Sequence, residues 1–178
     1  VAFVVPVHPP KVNQFCRFVH SNTFNNHLIG IFSSAKDRNA CPCNATSLVI
    51  PPHRANPVTS KKWLGVRQVF HVHRHLSAVV ALDAESMFHR RVTDGDVESF
   101  TRGVVSYGRL PIEEAFAAIN DYSCKIVGQS SSRNMGFLWW GNLPMYTRTE
   151  FELFFKEIDW SKLSWHTFDH ASYLCYLV

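Results

Sequence analysis

The chain has 178 residues, enough for one domain with a full core, and its 46% hydrophobic and 18% charged content excludes a disordered chain. No apolar run is long enough to span a bilayer, and no stretch of these residues reads as a signal peptide. A formal charge of +4 with an isoelectric point near 8.9 suits anionic ligands. No lysine or arginine run exceeds two and no basic–aromatic stripe exists, so nucleic acid is not an expected partner.

Residues 2–7 read as an apolar strand that His8-Pro9-Pro10 stops. A helix is predicted over 13–20, with Phe15, Phe18 and Val19 inward. Residues 28–32 form a second buried strand, 36–45 read as a polar loop, and 47–50 form a third strand ended by Pro51-Pro52. Ser60 is a good N-cap for a helix running to about Leu76, on which Trp63, Val66, Phe70 and His73 follow at helical spacing. The run 78–82 is too short for an isolated helix and rich in β-branched valine, so it reads as a central parallel strand.

Four strands joined by crossovers predict an α/β fold: a Rossmann-like, mostly parallel central sheet flanked by helices. The second half is less regular. Thr93-Asp94-Gly95-Asp96 caps a short helix ending at Gly103, and Pro111 opens a helix over 111–120. Strands are predicted at 124–127 and 136–140 around a polar loop. A capping box at Thr149-Phe151-Glu152 starts a helix through Ile158, and a last helix begins near Thr167. The chain starts inside a strand and ends in an apolar run, as expected of a domain excised from a longer protein. Its location, cytoplasmic or lumenal, stays open.

Five cysteines, Cys16, Cys41, Cys43, Cys124 and Cys175, are scattered, and Cys41-Pro42-Cys43 lacks the reach of a zinc knuckle. The expectation is free, reduced thiols, with a disulfide from Cys41 or Cys43 as the alternative. Asn44-Ala45-Thr46 matches the N-glycosylation pattern, which arises often by chance. His71 and His75 share a helical face, but without the glutamate of a zinc-helix motif they read as a partly exposed helix end.

The chemistry concentrates where the fourth strand runs into Asp83-Ala84-Glu85. In open α/β sheets ligands sit outside the carboxyl ends of the strands. Two carboxylates one residue apart repel each other there unless a cation or a proton lies between them. A divalent metal, which takes oxygen ligands and brings phosphates with it, is the simplest answer. An acidic loop after a strand is the plain alternative.

The order Thr59-Ser60-Lys61-Lys62-Trp63-Leu64, amphipathic helix, then Ala78 to Leu82 running into Asp83-Ala84-Glu85 resembles the donor-binding half of GT-A-fold glycosyltransferases. The first strand with its His8-Pro9-Pro10 exit is similar to that superfamily's first nucleotide-contacting turn. The resemblance covers 2–87 in order of elements and the remainder loosely. It implies one GT-A-like domain over 1–178, with a nucleotide-sugar-binding half at 1–87 and an acceptor-side half at 88–178.

The activity it implies is transfer of a sugar from a UDP- or GDP-linked donor to a hydroxyl of a glycan or other acceptor. Val5, Pro6, Val7, His8, Lys61, Lys62, Asp83, Ala84 and Glu85 would contact the donor, and Asp37 its base or ribose. Asp83 and Glu85 would hold Mn2+ or Mg2+, although Glu85 stands where the commonest pattern has a second aspartate. Asp169 matches the position where inverting members carry a catalytic base; a first-turn aspartate stabilised by the helix dipole is its plain reading. Trp140, Gly141 and Asn142 suit an acceptor sugar, or core packing. The lysines have a plain reading too, as a solvated first turn. Two other functions compete: a metal-dependent phosphohydrolase, and a catalytically silent GT-A-like sugar-binding module.

Overall fold

The computed structural model describes residues 1–96, 98, 114–130 and 145–177. Along the chain run β1 (Ala2–Pro6), α1 (Val12–Ser21), β2 (His27–Phe32), α2 (Ala35–Asn39), β3 (Thr46–Val49), α3 (Pro57–Val72) and β4 (Ala78–Ala81). These are followed by α4 (Glu114–Lys125), β5 (Met145–Thr147), α5 (Arg148–Glu157) and α6 (Asp169–Leu177). The strands form one sheet in the order β3-β2-β1-β4-β5, parallel except for β5, which pairs antiparallel with β4. The α/β class and the mostly parallel sheet agree with the sequence pattern.

Side-chain alternation along β1 separates two cores. Ala2 and Val4 join Ile29, Ile31, Trp63, Val66 and the aromatic residues of α5 on one face, whereas Phe3, Val5 and Val7 join Phe15, Phe18 and Phe32 under α1 on the other. A sheet covered on both faces needs strands without a polar side, which is why β1 and β4 read as unbroken apolar runs. Close packing of α3 over the sheet centre depends on Gly65. A Cβ there would lie 2.8 Å from Cγ1 of Ile31 and 3.1 Å from Cγ1 of Val4.

Several local expectations change. The N-cap of α3 is Asn56, whose side chain accepts from the Thr59 amide at 3.0 Å with Pro57 in the first turn; it is not Ser60. Ser60 instead donates back to the Asn56 carbonyl at 2.6 Å. Residues 36–45, read as a loop, contain α2, capped by Ser34. Cys124 and Lys125 end helix α4 rather than opening a strand, because Cys124 is bonded to Cys175 on α6 and buried between the two helices. Edge strand β5 has no counterpart in the expected elements. Helix α5 starts after Thr147, two residues before the expected capping box. The predicted strand at 136–140 lies outside the described residues.

The expectation of free thiols is also overturned. Cys16 pairs with Cys43 and Cys124 with Cys175, which leaves Cys41 free. Its sulfur lies 3.6 Å from that of Cys16 and 3.4 Å from that of Cys43. The first disulfide fastens the α2–β3 connection to α1, and the second fastens α4 to α6. Among the described residues, no helix is long and apolar enough to cross a membrane.

Candidate functional site

From β1 the chain turns to β2 on one side of the sheet, and from β3 it crosses back to β4 on the other. The carboxyl ends of β1 and β4 therefore flank the point where strand order reverses, the usual place for a ligand crevice in an open α/β sheet. His8 follows β1 there and Asp83 follows β4. The start of α3 overlies the same end and carries Lys61 and Lys62.

Neither lysine lies in a solvated first turn. The Asn56 cap lengthens α3 by a turn, so both fall inside the helix; Lys61 is 0% and Lys62 7% exposed. Lys61 donates from Nζ to the Val7 carbonyl at 2.8 Å and lies 3.2 Å from Nδ1 of His8. Lys62 Nζ lies 3.1 Å from Oδ1 of Asp83 and 3.1 Å from Oδ1 of Asp169. A buried ammonium needs such partners, since an unpaired one loses its hydration without return.

Asp169 arrives from the far end of the chain, and its placement has a visible cause. The Asn56 side-chain amide donates to the carbonyls of Thr167 at 2.7 Å and Ser164 at 2.9 Å, and the Thr59 hydroxyl donates to the same Thr167 carbonyl at 2.9 Å. The cap that starts α3 thus also holds the segment entering α6, whose first residue is Asp169. Asp169 is 2% exposed, while the side chain of Asp83 is 56% exposed. The deep carboxylate anchors Lys62 and the outer one faces solvent.

The environment tunes these groups unequally. Burial would lower Lys62, but Asp169 and Asp83 outweigh it and hold its ammonium above the ordinary lysine range. Lys61 lacks such a contact. Burial pulls it down to about 8, opposed by the field of Asp37 on α2. His8 is lowered to about 4 by burial and by Lys61, so it is neutral at pH 7. Its Nε2 and the second oxygen of Asp169, Oδ2, are buried without a hydrogen bond among the described residues. Beside them His170 is lowered by burial, against the pull of Asp169.

Most sequence-derived candidates converge here, in different roles. Val5, Pro6, Val7 and Ala84 are buried, and the Val7 carbonyl is engaged by Lys61. Asp37 accepts from the Ser34 hydroxyl at 2.9 Å and acts on Lys61 through its charge. Glu85, like Asp83, is more than half exposed and lies 3.8 Å from Nζ of Lys11. Each of the two carboxylates meets its lysine through one oxygen, so both keep lone pairs open to a hard divalent cation. The donor set is compatible with Mg2+ or Mn2+, which need only one or two carboxylates when phosphates complete the shell. Among the described residues, three thiol, imidazole or carboxylate ligands come within 4.8 Å of one another only at Cys16, Cys41 and Cys43, and a disulfide engages two of them.

Trp140, Gly141 and Asn142 lie outside the described residues. No family model matches this chain, and no curated protein matches it. Sequence reading missed Asn56, Lys11 and His170. For Asn56 a signal existed, since Asn-Pro is a strong N-cap and first-turn pair; for Lys11 and His170 only proximity in space reveals the role.

Proposed function

We propose that this chain is a glycosyltransferase that binds a nucleotide-diphosphate sugar in the crevice between the ends of β1 and β4 and moves the sugar to an acceptor hydroxyl. The observation that carries the reading is Lys62, held between Asp83 and Asp169 at the strand-order reversal beside a second buried lysine. A fixed ammonium at that point stabilises negative charge as it develops on a departing diphosphate, without reorganising. Neutral His8, with Nδ1 facing Lys61, carries its proton on Nε2 and offers that donor to a phosphate or ribose oxygen.

Charge balance supports a metal at Asp83 and Glu85. Lys11, Lys61 and Lys62 face four carboxylates, Asp37, Asp83, Glu85 and Asp169. Such a crevice does not attract a diphosphate unless another cation accompanies it. A divalent ion bound there supplies Lewis-acid neutralisation of the leaving group. Asp169 is the carboxylate assigned the acceptor proton, with Lys62 orienting it through Oδ1; its Oδ2 is buried, so the acceptor hydroxyl reaches it only when the residues covering it give way.

Thermal-shift titration with UDP- and GDP-linked sugars, with and without manganese, tests the reading. Stabilisation by one of them that needs metal and vanishes in Asp83→Asn is expected. No response to any nucleotide sugar would sink it, and binding of free sugar without nucleotide would point to a silent module instead.

A further inference from the structure

Away from the sheet, α3 presents Arg67 and His71 four residues apart, hence on one face, and because the helix stops at Val72, short of the expected Leu76, Arg74 follows in the turn beyond it. Helix α5 packs alongside and brings Phe151, Phe155 and Lys156. Between them lies a cavity of about 560 Å³, within the range of small-ligand sites. Its wall carries Arg67, Arg74, Arg148 and Lys156 against one carboxylate, Glu152, on a chain whose whole net charge is +4.

The cations are held differently. The Arg148 guanidinium binds the carbonyls of Phe70, His73, Arg74 and Leu76 at 2.7–3.1 Å, closing the end of α3. Arg67 lies over the Phe155 ring at 4.6 Å. Arg74 and Lys156 are exposed and form no ion pair among the described residues. A second cavity of about 360 Å³ shares Arg67 and Phe155 and extends the groove past Leu64 to Trp160, Pro51 and Pro52. From Leu64 to the last helical residue, Val72, the groove follows α3 for about 12 Å, and Arg74 lies in the turn just beyond. Its far end reaches His53, whose amide donates to the Ser60 hydroxyl, next to Lys61.

We propose that this groove binds an extended anionic glycan, a chain bearing sulfate or carboxylate groups. Acid groups would pair with Arg74 and Lys156, and a sugar-ring face would lie on Trp160. Flat aromatic faces alternating with cations suit a chain whose rings carry charge at intervals. An acidic peptide would meet the same cations, but a polyglutamate chain brings no ring face to Trp160, and hexaglutamate in the test separates the two. That the bound chain is also the acceptor rests on the transferase reading; glycan binding itself does not.

The test titrates the whole chain with three probes: a heparin-derived hexasaccharide, an uncharged dextran oligosaccharide of equal length, and hexaglutamate. Heat or tryptophan fluorescence at near-physiological salt reports binding. The hexasaccharide is expected to bind at least tenfold more tightly than the other two. R74E/K156E should weaken it tenfold or more. R17E/K125E makes the same charge change on exposed residues outside the groove and should alter affinity less than threefold. Equal binding of hexaglutamate, equal losses in the two double variants, or no saturable binding would each overturn the proposal. Retained hexasaccharide binding with no nucleotide-sugar response would remove the transferase reading and leave this one standing.

Discussion

Lys62 and Asp169, 107 residues apart in the chain, meet at 3.1 Å in the interior, both less than a tenth exposed. Asp83 meets the same ammonium at 3.1 Å, but from the solvent side. One cation therefore ties α3, α6 and the end of β4 together, and its two carboxylates differ in depth.

That difference separates stability from function. Lys62→Met should cost about 3–5 kcal/mol, because it leaves the Asp169 charge buried and unpaired. Asp83→Asn should cost below about 1 kcal/mol, since an exposed carboxylate loses little when neutralised, while removing the nucleotide-sugar response. Urea unfolding of both variants checks the first contrast and ligand-induced thermal shift the second. Equal destabilisation by both would contradict the assigned depths.

His8 and Lys61 set two pH windows. His8 titrates near 4 in the fold against about 6.5 unfolded, so between these values the unfolded chain binds more protons. Its contribution to stability is complete above about 6.5 and is lost as pH falls toward 4. Lys61, lowered to about 8, destabilises the fold while charged, and stability attributable to it rises between about 8 and 10.5. Donor affinity should move the other way, weakening as pH passes about 8 and the ammonium is lost. Unfolding at a series of pH values in wild type, His8→Asn and Lys61→Met isolates both contributions. An unchanged pH profile in His8→Asn would refute the first.

Gly65→Ala should destabilise by about 1–3 kcal/mol, the range for overpacking a filled core, because its Cβ would press on Ile31 and Val4. A neutral or stabilising result by thermal unfolding would show that α3 can lift from the sheet without penalty.

The cysteine pairing predicts one alkylatable thiol per chain in denaturant without reductant, five with it, and none without reductant in Cys41→Ser. Mass spectrometry reads each number directly. Removing Cys124–Cys175, whose residues are 51 apart, should cost about 4 kcal/mol in the loop-entropy account.

The first half was largely legible because each of its elements has a strong local cause. The runs at β1, β2 and β4 are almost wholly apolar because helices cover both faces, and prolines follow β1 and β3. The second half misled where tertiary partners override local preference. Cys124-Lys125-Ile126-Val127 has strand-like composition, yet Cys124 and Lys125 close a helix pinned by a distant cysteine. Three-residue β5 carries no pattern of its own and is a strand because β4 offers it an edge.

By itself the sequence determined that an acidic pair follows a buried strand, behind a helix bearing two lysines, in an α/β chain. Those are local facts, written in apolar runs and short-range spacing. Only the tertiary structure decided what the charges do. It buried both lysines, gave Lys62 to Asp169 as well as Asp83, and left Asp83 and Glu85 facing outward. Pairing of a buried charge depends on which elements dehydrate it together, and no spacing along the chain encodes a contact made across 107 residues.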